Sequence, residues 1–172
     1  MKRLFISDYQ DYEPDWPHFV RPSVRGIIIK DGKIALVHHG KSDYYRIPGG
    51  GIEPGESLEE ALVREVKEET GLVVIPESIK ELGKVLRLSA CSHTENMIFE
   101  QENYYYVCEA EDEIEAPELD AHEIEEQYSL VFTTLEEAVH RNRHHDHGAD
   151  NGAASIERET RVLELLLMES KK

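Results

Sequence analysis

Gly50-Gly51-Ile52-Glu53-Pro54-Gly55-Glu56-Ser57-Leu58-Glu59-Glu60-Ala61-Leu62-Val63-Arg64-Glu65-Val66-Lys67-Glu68-Glu69-Thr70-Gly71-Leu72 is a glycine loop running into a helix. Ser57 is a good N-cap and Glu60, three residues on, completes a capping box. Gly71 after Thr70 is a natural C-terminal stop. Wound at about 100° per residue, Leu58, Ala61, Leu62 and Val66 share one side, the side that should pack on a sheet. Glu65 and Glu69 land in the middle of that side, one turn apart, and Glu68 falls at its edge. Glu59, Glu60 and Lys67 point away. Carboxylates on a core-facing stripe are costly unless paired or bound to metal, and three within one turn repel each other. A divalent cation resolves both problems, and oxygen-only ligands suit Mg²⁺ or Mn²⁺ rather than zinc. Gly49-Gly50-Gly51 gives the backbone freedom to approach a ligand closely. The loop brings main-chain carbonyls and Glu56 near the first helical turns, and the planar fork of Arg64 can orient a neighbouring glutamate.

Outward from this stretch, Val24 to Lys30 and Lys33 to His39 flank Asp31-Gly32 and read as a hairpin with a primed turn. Tyr44 to Ile47 reads as a short third strand entering Pro48. Lys84 to Cys91, Asn103 to Cys108 and Tyr128 to Phe132 are further strands. Tyr104, Tyr105 and Tyr106 fit core and surface alternation. Residues 1–22, with Pro14, Pro17 and Pro22, form an irregular or partly extended lead-in. Residues 109–126 hold ten acids in eighteen positions and read as a solvated loop. Thr134 to Glu137 is a second capping box that opens a helix. Asn142 to Gly152 is a polar, His-rich loop, and His140, His144, His145 and His147 with Asp146 resemble a metal-binding tract but lack helical or finger-like spacing. Ile156 to Met168 is a final amphipathic helix, within a C-terminal segment 153–172. Strands, helix, strands, helices imply an α/β fold with a mixed sheet and helices on its faces.

The chain has 172 residues, enough for one domain with a sizeable core. Nineteen basic against thirty-six acidic residues leave a net charge of −17, which repels nucleic-acid phosphates and makes a cation necessary for any phosphorylated substrate. No apolar run approaches the roughly 20 residues needed to span a bilayer. Asp8, Asp11 and Glu13 follow the N-terminus closely where a secretory signal would be apolar, so the expectation is a cytoplasmic protein without membrane partners. Cys91 and Cys108 are too few for a disulfide framework and read as reduced, buried thiols.

Gly50, five residues, Glu56, seven residues, then Arg64-Glu65-Val66-Lys67-Glu68-Glu69-Thr70-Gly71-Leu72 fills every fixed position of the Nudix box, and the flanking pattern from about Arg21 to about Val139 resembles that family. The resemblance implies an α/β/α sandwich occupying residues 1–172 as a single domain. It also implies a hydrolase of a nucleoside diphosphate linked to another group, such as a nucleoside triphosphate or nucleotide sugar. The residues matching the family's metal ligands are Glu65 and Glu69, with Glu68 assisting and the Gly50 carbonyl joining them. Arg64 would orient Glu65, and Glu56 would support the site. A carboxylate must take a proton from the attacking water. Glu68 and the late glutamates Glu123, Glu125 and Glu126 are candidates, with Glu100 and Glu102 weaker ones. Tyr44, Tyr45 and Arg46 before the glycine loop are candidate substrate contacts, a tyrosine stacking on a base and the arginine meeting a phosphate. His38 and His39 end a strand from which one ring could face the substrate.

Subgroup markers are missing. Arg87-Leu88 stands where ADP-ribose pyrophosphatases carry a proline. No tyrosine lies between Gly71 and His93, where diadenosine polyphosphate hydrolases often have one. The rival reading is a nucleotide-binding sensor without turnover, but such a protein has no need of Arg64, Glu65, Glu68 and Glu69 together. A capped RNA 5′ end is the runner-up substrate, opposed by the −17 charge. Homodimerisation through the N-terminal segment or final helix is expected by analogy with the family.

Overall fold

A computed structural model describes residues 1–147 and 153–171. In chain order the strands are Arg3–Asp8 (β1), His18–Val20 (β2), Ser23–Ile27 (β3), Ile29–Lys30 (β4), Lys33–His39 (β5) and Tyr44–Arg46 (β6). Helix Leu58–Thr70 (α1) comes next, then Leu72–Val74 (β7), Lys80–Ala90 (β8), Ile98–Val107 (β9) and Ala110–Ile114 (β10). The short helix Ala121–Glu125 (α2), strand Tyr128–Thr133 (β11) and helices Leu135–His144 (α3) and Ala153–Ser170 (α4) complete the order.

The run expected as a single strand before Asp31-Gly32 serves two sheets. β3 lies parallel to β9, from Ser23 beside Asn103 to Ile27 beside Val107. β4 turns back antiparallel onto β5 through Asp31 and Gly32, whose φ angles of 51° and 74° make the expected primed turn. One sheet has the order β1-β8-β9-β2 with β3 also on β9, and mixes parallel and antiparallel pairs. A second has the order β11-β5-β4 with β6 on β5, and β10 and β7 make a third of two strands.

Alternation along the strands feeds two apolar cores. Ile27, Ile34, Leu36 and Tyr105 pack with Val162 and Leu163 of α4. Ile28, Ala35 and Tyr106 pack with Ala61, Leu62 and Val66 of α1. This is the α/β/α sandwich, with α1 on one side and α3 and α4 on the other. Tyr105 and Tyr106 therefore alternate between two cores, where core and surface were expected.

Three further expectations are corrected. The lead-in carries two strands, β1 parallel to β8 and β2 parallel to β9, supported by partners some 80 residues away that no local pattern reveals. The acidic stretch 109–126 is not wholly loop: β10 pairs with β7, and Asp120 caps α2 in a capping box with Glu123. The acids of β10 face solvent, so ordering its backbone buries little charge, and in α2 only Glu123 is half-buried. The His-rich stretch begins inside α3, whose Thr134 side chain accepts from the Glu137 N–H, and its end at 148–152 lies outside the described residues. Cys108 is buried, its thiol pushed up to about 12 by burial, whereas Cys91 is only partly buried. Among the described residues no helix is long and apolar enough to cross a membrane.

Candidate active site

α1 starts and stops where its residues direct. Ser57 accepts from the Glu60 N–H, the Glu60 carboxylate accepts from the Ser57 N–H, and Gly71 closes the helix at φ 76°. With the ends fixed, the phase of the wheel is fixed, and it turns the glutamates toward the glycine loop.

Arg64 is the hub. It donates to both oxygens of Glu56 at 2.7 and 2.8 Å, to Glu65 Oε1 at 2.7 Å, to Glu68 Oε2 at 3.1 Å and to the Gly51 carbonyl at 3.0 Å. One planar guanidinium thus joins three carboxylates to the loop. Glu65 lies against Gly50 so closely that a Cβ there would sit 2.1 Å from Glu65 Oε2, so only glycine lets the carboxylate in. Gly49 is held at φ 136°, where an added Cβ would lie 2.1 Å from the Val24 carbonyl oxygen.

Glu69 is 2% exposed. Its Oε2 accepts from the Gly49 N–H at 2.7 Å and its Oε1 from Arg46. Burial pushes the Glu69 carboxyl up, and the Arg46 and Arg25 guanidinium groups and the Gly49 N–H pull against that rise. Burial raises Glu65 as well, with Arg64 opposing.

A cavity of about 300 Å³ opens between the glycine loop, Glu65, Glu69 and the segment carrying Asp120, His122 and Glu123. Arg21, Arg25 and Arg46 stand in its wall. A second cavity of about 520 Å³ shares Arg46, His122 and Tyr128 with the first and is also lined by His39, Tyr44 and Glu126. In its wall the His39 ring stacks on Tyr44 at 4.1 Å and lies 3.9 Å from Tyr128. Burial first, then Arg46 and Arg25, lower the His39 pKa to about 2, so the ring is neutral. Its Nε2 is buried with no hydrogen-bond partner among the described residues.

The structure therefore brings together Gly50, Glu56, Arg64, Glu65, Glu68 and Glu69, with Arg46 and Glu123 facing the same space. Tyr44 lines the second cavity. Tyr45 turns to the opposite core and lies under Arg141. Glu125 is exposed and pairs with Lys41, while Glu126, also near Lys41, reaches the second cavity. Glu100 pairs with His18, and Glu102 with Arg3 and Lys84, away from the loop. His145 accompanies His38 and Arg141 around Asp43. Sequence reasoning missed Arg25, His122 and Tyr128. An arginine inside an otherwise apolar strand was the available signal for Arg25.

The donors fit a hard divalent cation. They are carboxylate and carbonyl oxygens: Glu65 fills the space that a Cβ at Gly50 would take, and the Gly50 carbonyl accepts from the Val24 N–H at 3.0 Å. Among the described residues no three His, Cys, Asp or Glu side chains are placed so that, as they stand, they could hold a metal ion together. Carboxylates of this kind are the ligands that Mg²⁺ takes, water and substrate phosphate completing its shell.

The family model for the NUDIX domain matches residues 20–151. The chain belongs to the Nudix family. Among curated Nudix relatives, an ADP-ribose pyrophosphatase of Methanocaldococcus jannaschii is 50% identical over 54 residues, 30% of this chain and 32% of that protein. A putative 8-oxo-dGTP diphosphatase of Bacillus subtilis is 38% identical over 112 residues, 65% of this chain and 62% of that one. An RNA pyrophosphohydrolase of Xanthomonas campestris is 38% identical over 69 residues, 39% of this chain and 32% of that one. This chain thus aligns with less than two thirds of each relative's length. A Nudix hydrolase of Nitrosomonas europaea shares the fold at a TM-score of 0.57 and 19% identity, over 84% of this chain and 90% of its own. A MutT Nudix hydrolase of Burkholderia pseudomallei does so at 0.55 and 18%, over 85% and 96%.

Proposed function

We propose that this chain is a divalent-metal-dependent pyrophosphohydrolase that cleaves a nucleoside diphosphate linked to another group, with Mg²⁺ or Mn²⁺ as the metal. The observation that carries this reading is the Arg64 hub, which holds Glu56, Glu65 and Glu68 against Gly50 and Gly51 beside buried Glu69. Glu65, Glu68, Glu69 and the Gly50 carbonyl would hold the cation. When bound, it would neutralise diphosphate charge and acidify water.

The chain's own residues do the rest. Arg21 and Arg46 offer guanidinium groups to the phosphates in a protein whose net charge is −17. Glu123 is the late glutamate that reaches the cavity, and we assign it the proton of the attacking water, with Glu68 as the competitor to exclude by mutation. The second cavity, joined to the first at Arg46, His122 and Tyr128, is sized for the nucleoside, and its stacked rings suit a base. The named relatives act on chemically different compounds, so the substrate within this class is for experiment to choose.

The test is phosphate release from nucleoside triphosphates, dinucleotides, nucleotide sugars and ADP-ribose, with Mg²⁺, with Mn²⁺ and with EDTA. Metal-dependent turnover of one compound is expected. Nucleotide binding with no turnover anywhere in the panel would move the reading to a sensor.

A further inference from the structure

The box ends at Leu72 and the family match at residue 151, yet the site is tied to a residue beyond both. Glu159 of α4 is 0% exposed. Its Oε2 accepts from the Ile47 N–H at 3.2 Å. Its Oε1 accepts from Arg158 at 2.7 and 3.1 Å and from the Tyr105 hydroxyl at 3.4 Å. Arg25 Nε stands 3.9 Å from the same oxygen, and Arg25 Nη1 donates to the carbonyls of Ile47, at 3.3 Å, and Gly49. Both backbone polar groups of Ile47 are therefore held by buried charged side chains from other elements.

The neighbours of Ile47 give that hold its meaning. Arg46 on one side and Gly49 on the other supply the hydrogen bonds to the two oxygens of Glu69. A displacement of the 46–49 backbone moves both donors at once. An apolar side chain of similar volume would fill the place of Glu159 without the cost of desolvating a carboxylate, so packing alone does not account for it.

We propose that Glu159 is a positioning residue for Glu69: with Arg25 it braces the Ile47–Gly49 backbone from α4 and so sets the carboxylate that faces the metal site. The activity readout rests on the function proposed above, whereas metal binding and amide exchange do not.

The test compares Glu159→Gln, which keeps an acceptor for the Ile47 N–H, with Glu159→Leu, which keeps only volume. Glu164→Gln, exposed on the same helix and paired with Arg143, is the control. Mn²⁺ binding without substrate, kcat and KM, hydrogen exchange of the Gly49 amide and the melting temperature are measured on each. Expected for Glu159→Leu is Mn²⁺ binding weaker by about tenfold or more, as when other outer partners of metal ligands are removed, with kcat falling and KM unchanged. Gly49 exchange should quicken. Glu159→Gln should recover most of both losses, and Glu164→Gln should match the wild type. A folded Glu159→Leu with wild-type Mn²⁺ affinity and Gly49 exchange would overturn the proposal, as would losses no greater than its unfolded fraction. If Glu159→Leu does not fold, Glu159→Asp decides, since it keeps the charge beside Arg158 but withdraws the acceptor from the Ile47 N–H: faster Gly49 exchange supports the brace and an unchanged rate overturns it. A wild type that binds Mn²⁺ but turns nothing over would sink the enzyme reading and leave the brace to be read from binding and exchange.

Discussion

Two segments of this protein are almost equally rich in acid and meet opposite fates. α1 carries Glu59, Glu60, Glu65, Glu68 and Glu69 in thirteen residues, and 109–126 carries ten acids in eighteen. In α1 the apolar stripe and the carboxylates share a phase, so packing Ala61, Leu62 and Val66 drags Glu65 and Glu69 inward, where Arg64 and Arg46 meet them. At 109–115 the acids line an open hollow of about 630 Å³ whose wall holds no arginine, and surface lysines pair with Asp112 and Glu115, whereas Asp120 and Glu123 further along reach the arginine-lined cavity beside Glu65 and Glu69. Acid density therefore says nothing about chemistry by itself. Phase against apolar neighbours and a guanidinium within reach separate a site from a solvated rim.

The strongest way to break this contrast is to neutralise one acid in each segment. Glu65→Gln or Glu69→Gln should cut kcat by about 10² or more with the fold intact, and Glu113→Gln should leave it unchanged. Near-normal turnover in folded Glu69→Gln, or a comparable loss in Glu113→Gln, would collapse the distinction. Next comes Arg64→Lys. A lysine ammonium cannot reproduce the fork that spans Glu56, Glu65 and Glu68, so kcat should drop by about tenfold or more despite the retained charge. Full activity would mean that charge, not geometry, holds the carboxylates.

Desolvation can be sharpened with a group of opposite charge. His39 is neutral in the fold, whereas the unfolded chain takes up its proton near pH 6.5. Below that pH the unfolded state binds more protons, so stability falls as pH falls. Between pH 7 and pH 5 the wild type should lose about 2 kcal/mol more than His39→Gln in urea melts. Glu65 and Glu69, both raised, act in the opposite sense above the ordinary carboxylate pKa but are common to both proteins and cancel in the difference. Equal slopes would mean that the ring is protonated in place. The smallest effect contrasts the two capping boxes. Ser57→Ala should cost about 1 kcal/mol, because a thirteen-residue core helix hangs on it. Asp120→Ala should shift the urea midpoint less, since α2 is five residues long. An unmoved midpoint for Ser57→Ala would misplace the start of α1.

What was legible in the sequence was local. The Asp31-Gly32 turn, the Ser57 and Thr134 caps, the Gly71 stop and the wheel of α1 depend on residues within a turn or two of one another, and each has its counterpart in the structure. What was not legible depends on distant partners. β1 and β2 are strands because β8 and β9 lie beside them. β10 reads as rim because its charges hide a pairing with Leu72 and Val74 of β7. Arg158 and Glu159 read as one more polar turn of an amphipathic helix, and only the packing of α4 against the sheets shows them buried.

The run from Ser23 to Lys30 is pinned in one sheet as far as Ile27 and in the other from Ile29. Mechanically it is a key set across a joint. Load applied between β9 and β5 passes through covalent backbone at Ile28, so the two sheets cannot shear past each other without tearing one of the ladders that flank that residue. Pulled from those two strands, the protein is expected to yield first at the two-pair β4–β5 ladder, leaving the five pairs of β3 and β9 in place.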